Sequence, residues 1–106
     1  MTLDEFRKLL LTVIPDVYHF EAFKTDGKYI VWQETGVNGF YGSNRRCQIV
    51  QCVQVDFYTD DELDPMVDSL RMVLDNDLIC FEEQPPVFDP DTKQIRYIFE
   101  CEIMAR

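Results

Sequence analysis

From Gln94 to Met104 the chain alternates. Ile95, Tyr97, Phe99, Cys101 and Ile103 are apolar, and Gln94, Arg96, Ile98, Glu100 and Glu102 fill the places between them. A period of two over so long a run describes a strand with one face buried and the other largely wet. Such a strand needs neighbours in a sheet and a second layer over its apolar side. Cys47 to Tyr58 reads the same way, with Ile49, Val53, Val55 and Phe57 on one face. Its other face, Gln48, Val50, Cys52, Gln54, Asp56 and Tyr58, is mixed, which suits a surface that is partly buried or covered by another subunit.

Two amphipathic helices supply the covering layer. Thr2-Leu3-Asp4-Glu5 fits a capping box, Leu3, Phe6, Leu9, Leu10, Val13 and Ile14 form one apolar stripe, and Pro15 ends the helix. Asp64-Pro65 gives an N-cap and a first-turn proline to a second helix carrying Val67, Leu70 and Leu74, with Met66 and Val73 beside them, and Asp75-Asn76-Asp77 terminates it. Between and after the helices, residues 17–23 read as a strand and Thr25 to Lys28 as a turn. Tyr29 to Glu34 is a second strand, Thr35 to Arg46 a glycine- and asparagine-rich loop, and Thr59 to Asp64 an acidic turn. Leu78 to Phe81 is a short strand, and Gln84 to Thr92 a proline- and aspartate-bearing linker. The expected order is αβββαββ: an α+β domain, residues 1–106, with a mostly antiparallel sheet and both helices on one face.

A chain of 106 residues with 8 Phe, 5 Tyr and 1 Trp has the material for one packed domain, which excludes intrinsic disorder. No apolar run reaches the ~20 residues of a membrane span. The opening Met1-Thr2-Leu3-Asp4-Glu5 is acidic, unlike a signal peptide, so the protein is expected to begin in the cytosol. The four cysteines, Cys47, Cys52, Cys80 and Cys101, contain no Cys-x-x-Cys pair and read as reduced, small, buried apolar residues.

The formal charge of −10 is unevenly placed. Residues 1–53 are neutral, with Arg7, Lys8, Lys24, Lys28, Arg45 and Arg46 balancing six carboxylates, and residues 54–106 hold the whole excess. Such a surface repels phosphates and anionic lipids, so neither specific nucleic-acid binding nor membrane binding is expected. Two uses of the acid remain: solubility, or a surface that repels or imitates DNA.

Catalytic constellations are missing from the sequence. The one histidine, His19, sits in an aromatic strand with no nucleophile placed beside it, and reads as a partly exposed strand residue. The carboxylates at Asp60, Asp61, Glu62 and Asp64, and at Asp75, Asp77, Glu82 and Glu83, lack the order of a calcium loop, and helix capping accounts for Asp64 and Asp68. Glycines 36, 39 and 42 precede a strand rather than a helix, which excludes a phosphate-cradling loop. That stretch reads either as a hairpin connection or, given Phe40-Tyr41 and Arg45-Arg46, as a protein-binding loop. No enzyme activity, cofactor or metal is expected.

The order of landmarks resembles a known family. A capped helix and proline break lead to Tyr18-His19-Phe20, then to Tyr29-Ile30-Val31-Trp32 and a loop with Phe40-Tyr41. Val55-Asp56-Phe57-Tyr58-Thr59, an Asp64-Pro65 helix and Tyr97-Ile98-Phe99-Glu100 follow. This is similar to the small tail-completion proteins (tail terminator, or tail-to-head joining) of long-tailed bacteriophages and of prophages in Gram-positive bacteria. The likeness spans nearly the whole chain and rests on pattern and spacing. The chain departs from it at Gly42-Ser43, where members carry Ala-Asp, and in a more proline-rich Gln84–Thr92 linker.

The resemblance implies a non-catalytic structural protein, made in the host cytoplasm and ending in the tail or neck of the virion. Its partners would be copies of itself in a ring, typically of six, the tail-tube protein and a head-completion protein. The residues that suit such contacts are Phe40, Tyr41, Arg45, Arg46, Val50, Cys52 and Tyr58, and the acidic half would line a channel for DNA. The rival is an acidic DNA mimic that occupies a nucleic-acid-binding protein through Asp56, Asp60, Asp61, Glu62, Asp64 and Asp68, and another head–tail neck component is a further alternative.

Overall fold

The computed structural model of the protein describes residues 1–22, 27–39 and 49–104. Its elements are α1 (Leu3–Leu11), β1 (Val17–His19), β2 (Tyr29–Gly39), β3 (Ile49–Thr59), α2 (Pro65–Leu74), β4 (Ile79–Glu83), β5 (Val87–Asp89) and β6 (Gln94–Met104). The fold is α+β: one six-stranded sheet in the order β1-β2-β3-β6-β4, with β5 also on β6, and two helices packed on one side.

Both helices start as their sequences dictate. The Thr2 hydroxyl accepts from the Glu5 amide at 3.1 Å, and the Glu5 carboxylate accepts from the Thr2 amide at 2.8 Å. Asp64 caps α2 by accepting from the Met66 amide at 2.9 Å, one residue after Pro65 has fixed the first turn. Their apolar stripes, Phe6 and Leu10 from the first, with Ile14 just past its end at Leu11, and Val67, Leu70 and Leu74 from the second, meet the inward residues of the sheet. The register explains why so few side chains suffice: Trp32, Val55 and Phe99 lie side by side across three strands, as do Ile30, Phe57 and Tyr97. Burying this set supplies most of the driving force, at about 25 cal/mol per Å² of apolar surface.

Four features depart from the sequence expectation. The first strand stops at His19 rather than residue 23 and runs parallel to β2, so no hairpin joins them. Phe20 is the cause: at φ 73 it turns the chain away while its amide donates to the Trp32 carbonyl at 2.8 Å. The region expected to be loop from Thr35 is strand as far as Gly39, because a bulge between Glu34 and Gly36 absorbs one residue and lets the ladder with β3 continue. The supposed Gln84–Thr92 linker contains β5, giving αβββαβββ. Since β4 covers only Phe99 to Ile103 of β6, the edge at Gln94–Arg96 is free to take Val87–Asp89. Of the described cysteines, Cys101 is buried as expected, Cys52 is half-buried and Cys80 is exposed.

Candidate functional site on the uncovered sheet face

The side of the sheet away from the helices has no second layer among the described residues, and alternation assigns its side chains in rows. One row runs Gln33, Gln54, Glu100, Glu82, and the next runs Gly36, Cys52, Glu102, Cys80. Towards the other end lie Val31, Asp56 and Ile98, then Tyr29, Tyr58 and Arg96. Two grooves follow from this arrangement.

The first groove, about 520 Å³, is lined by Cys52, Gln54, Cys80, Glu82, Glu100 and Glu102 among others. Glu82 stands directly opposite Glu100 on the neighbouring strand, a like-charge pairing that costs stability. Among the described residues none of these three glutamates is ion-paired, and Glu82 has only a long 3.4 Å contact from the Gln84 amide group. Burial, and then the nearby Glu102, push the Cys52 thiol above its ordinary pKa. Cys52 and Cys80 flank Glu102 from opposite sides, so roughly two strand spacings, about 9–10 Å, separate their backbones, beyond the reach of a disulfide.

The second groove, about 530 Å³, is more apolar, lined by Tyr29, Tyr58, Val87, Phe88 and Arg96 among others. Tyr29 and Tyr58 stack with centroids 4.6 Å apart, and burial raises the pKa of both phenols. Next to it Asp56 is 7% exposed. It accepts from the Arg96 guanidinium at 2.8 and 3.2 Å and from the Gln54 amide at 3.1 and 3.2 Å. A buried charge of this kind is tolerated because its lone pairs are filled.

The six acidic residues expected to share an exposed face do not do so. Asp56 lies within this network, and Asp64, 3% exposed, is held by the Met66 amide, the Thr59 hydroxyl at 2.7 Å and the Lys28 ammonium at 3.0 Å. Desolvation pushes the Asp64 carboxyl up, but these three partners more than reverse it and leave its pKa below the ordinary value. Asp68 pairs with Arg71, and Asp61 lies 3.5 Å from Lys28. Asp60 and Glu62 complete the exposed remainder of that set. Among the described residues, the acids of the uncovered groove without an ion pair are instead Glu82, Glu100 and Glu102. Their signal was the polar half of the β6 alternation, but only the strand register brings Glu82 beside them.

Of the expected contact residues, Val50, Cys52 and Tyr58 all lie half-buried on this uncovered face, along β3. Phe40, Tyr41, Arg45 and Arg46 lie outside the described residues. His19 is engaged structurally: its ring stacks between Phe20 and Trp32, 4.0 and 4.1 Å away, and Nε2 bonds the Glu34 carboxylate, which that bond holds below its ordinary pKa. Among the described residues no group of three or more His, Cys, Asp or Glu is placed to hold a metal ion, and no described helix is long and apolar enough to cross a membrane. Compared with protein-family models and with curated proteins, the sequence matches none.

Proposed function

We propose that the protein is a non-catalytic tail-completion factor of a long-tailed phage or prophage. In this reading its copies form a ring, six in number, at the head-proximal end of the tail tube, where the ring ends tube growth and joins tail to head. The sequence landmarks described above motivate the reading, and the observation that carries it is the uncovered sheet face. A sheet with no second layer on one side among the described residues, bearing half-buried Val50, Cys52 and Tyr58 and, among those same residues, no ion pair for Glu82, Glu100 or Glu102, is suited to being covered by, or to lining, an assembly. In a ring, those carboxylates facing the lumen would keep passing DNA off the wall by like-charge repulsion.

The test is add-back to tails that lack their terminator. Wild-type protein is expected to restore normal tail length and head joining, and protein with Glu82→Lys, Glu100→Lys and Glu102→Lys to cap tails but slow DNA passage. Tails that stay uncapped with wild-type protein would refute the reading. Tyr41→Ala and Arg45→Glu/Arg46→Glu proteins test the remaining contact residues, and full restoration by both would remove residues 40–46 from the interface.

A further inference from the structure

We propose that copies of this chain join by pairing the outer edge of β2 in one copy with the outer edge of β4 in the next, so that the sheet continues across the subunit boundary. The inference deepens the ring reading and rests on it for closure of the ring, although the contact itself is testable without tails.

Both edges end unpaired among the described residues. On one flank β1 covers only Ile30 to Trp32, and the φ of 73 at Phe20 then turns the chain away, leaving Gln33 to Gly39 paired on a single side. The Ile30 amide donates outward to Asp16 at 2.9 Å, which fixes the alternation. After the bulge, Gly36 and Asn38 face β3, and the N–H and C=O of Val37 point away from it. Phe20 and Val37, 58% and 59% exposed, flank this bare edge with apolar side chains. On the other flank β4 is the last strand. The Gln84 amide donates to Ile98 and the Met104 amide to Leu78, so the even-numbered positions face β6 and the backbone groups of Phe81 and Glu83 point outward.

Natural sheets guard such edges with proline, charge or a covering loop. This one guards selectively. Pro85, Pro86 and Pro90 bracket β5, where they remove donors and prevent pairing, but β4 contains no proline and neither does the bare part of β2. The two unguarded stretches are similar in length, and their charges disfavour pairing of β4 with a second β4. Two β4 edges together would juxtapose Glu82 and Glu83 with their own copies, in a half of the chain that already holds the whole −10 excess. The β2 stretch carries a single carboxylate, Glu34, already bonded to His19. A β4 edge therefore meets least repulsion from β2. Because the two edges are different surfaces, the contact is head-to-tail, the kind that generates rings when the rotation closes.

Amide hydrogen exchange on the full chain at about 10 μM and about 1 mM tests this. Amides in Glu34–Gly39 and in Ile79–Glu83 are expected to slow together, about tenfold or more, at the higher concentration. Val37→Pro, which removes one outward donor from an exposed position, should abolish the slowing in both segments, and Val37→Lys, which keeps the amide and adds a charge to the edge, should weaken it. Slowing confined to one segment, slowing in neither, or Val37→Pro protein that is folded and behaves as wild type would each overturn the proposal. Tail capping is scored separately by electron microscopy. Pairing in solution without caps would sink the ring reading alone, and caps from wild-type protein with neither edge protected would sink the edge contact alone.

Discussion

The two faces of this sheet are built from the same strands yet handle charge in opposite ways. Beneath the helices the acids are few and saturated: Asp64 has three partners, and Glu83 receives a bidentate grip from Arg71 at 2.7 and 2.8 Å. On the uncovered face Glu82, Glu100 and Glu102 share a groove that holds no cation among the described residues, whereas Asp56 is treated as an interior acid would be. The difference teaches that the helix-clad face is built for stability, and that the uncovered face, where Glu82 stands opposite Glu100, gives some stability up.

That contrast can be broken by mutation, and the largest effect belongs to the clad face. Phe99→Ala empties a fully buried site between Val55 and the helices and should cost about 3–5 kcal/mol in urea denaturation. Ile98→Ala, one residue along on the other face, should cost clearly less, and equal losses would erase the distinction. Asp64→Asn comes next, at about 2–3 kcal/mol, because it weakens a cap and the charge-assisted buried bond from the Thr59 hydroxyl together. Its pH signature has a fixed sign. The folded pKa of Asp64 is lowered, so its contribution is present above the unfolded value near 4 and is lost as pH falls through the folded value. Stability measured from neutral pH downward should therefore fall less steeply in Asp64→Asn than in wild type, and parallel curves would show that Asp64 is not the linked group.

Arg96→Met probes the one interior-like site on the uncovered face. It leaves the buried Asp56 with the Gln54 amide alone and should cost about 1–3 kcal/mol, less than a fully buried pair because Arg96 is partly exposed. The smallest effect has the opposite sign. Glu100→Gln removes the like charge facing Glu82 and should stabilise by a few tenths of a kcal/mol, more at low salt. Destabilisation by that change would mean the groove carboxylates already have a partner in the isolated chain.

Much of the clad face was legible in the sequence, because caps and periodicities are local. Thr2 with Glu5, Asp64 with Pro65, and the alternations around Val55 and Phe99 each announce themselves within a few residues. What escaped depends on pairing between distant residues or on backbone angles that leave no compositional mark. Phe20 adopts a positive φ with no glycine or asparagine to signal it, so the early end of β1 and its parallel pairing were hidden. The bulge after Glu34 likewise disguised five strand residues as loop, and the glutamate groove exists only once the register sets Glu82 against Glu100. Phe40, Tyr41, Arg45 and Arg46, expected from the sequence as contact residues, lie outside the described residues.

The stack around Trp32 has a practical consequence. It is the one tryptophan in the chain, 3% exposed, its indole N–H without a hydrogen-bond partner among the described residues, with Phe6 edge-on at 6.1 Å and the only histidine lying flat against it. A fluorophore so shielded emits at short wavelength. The protein thus contains its own optical gauge: a red shift marks the loss of the layer between helix and sheet. It can be followed in dilute solution, with no label attached and no cysteine modified.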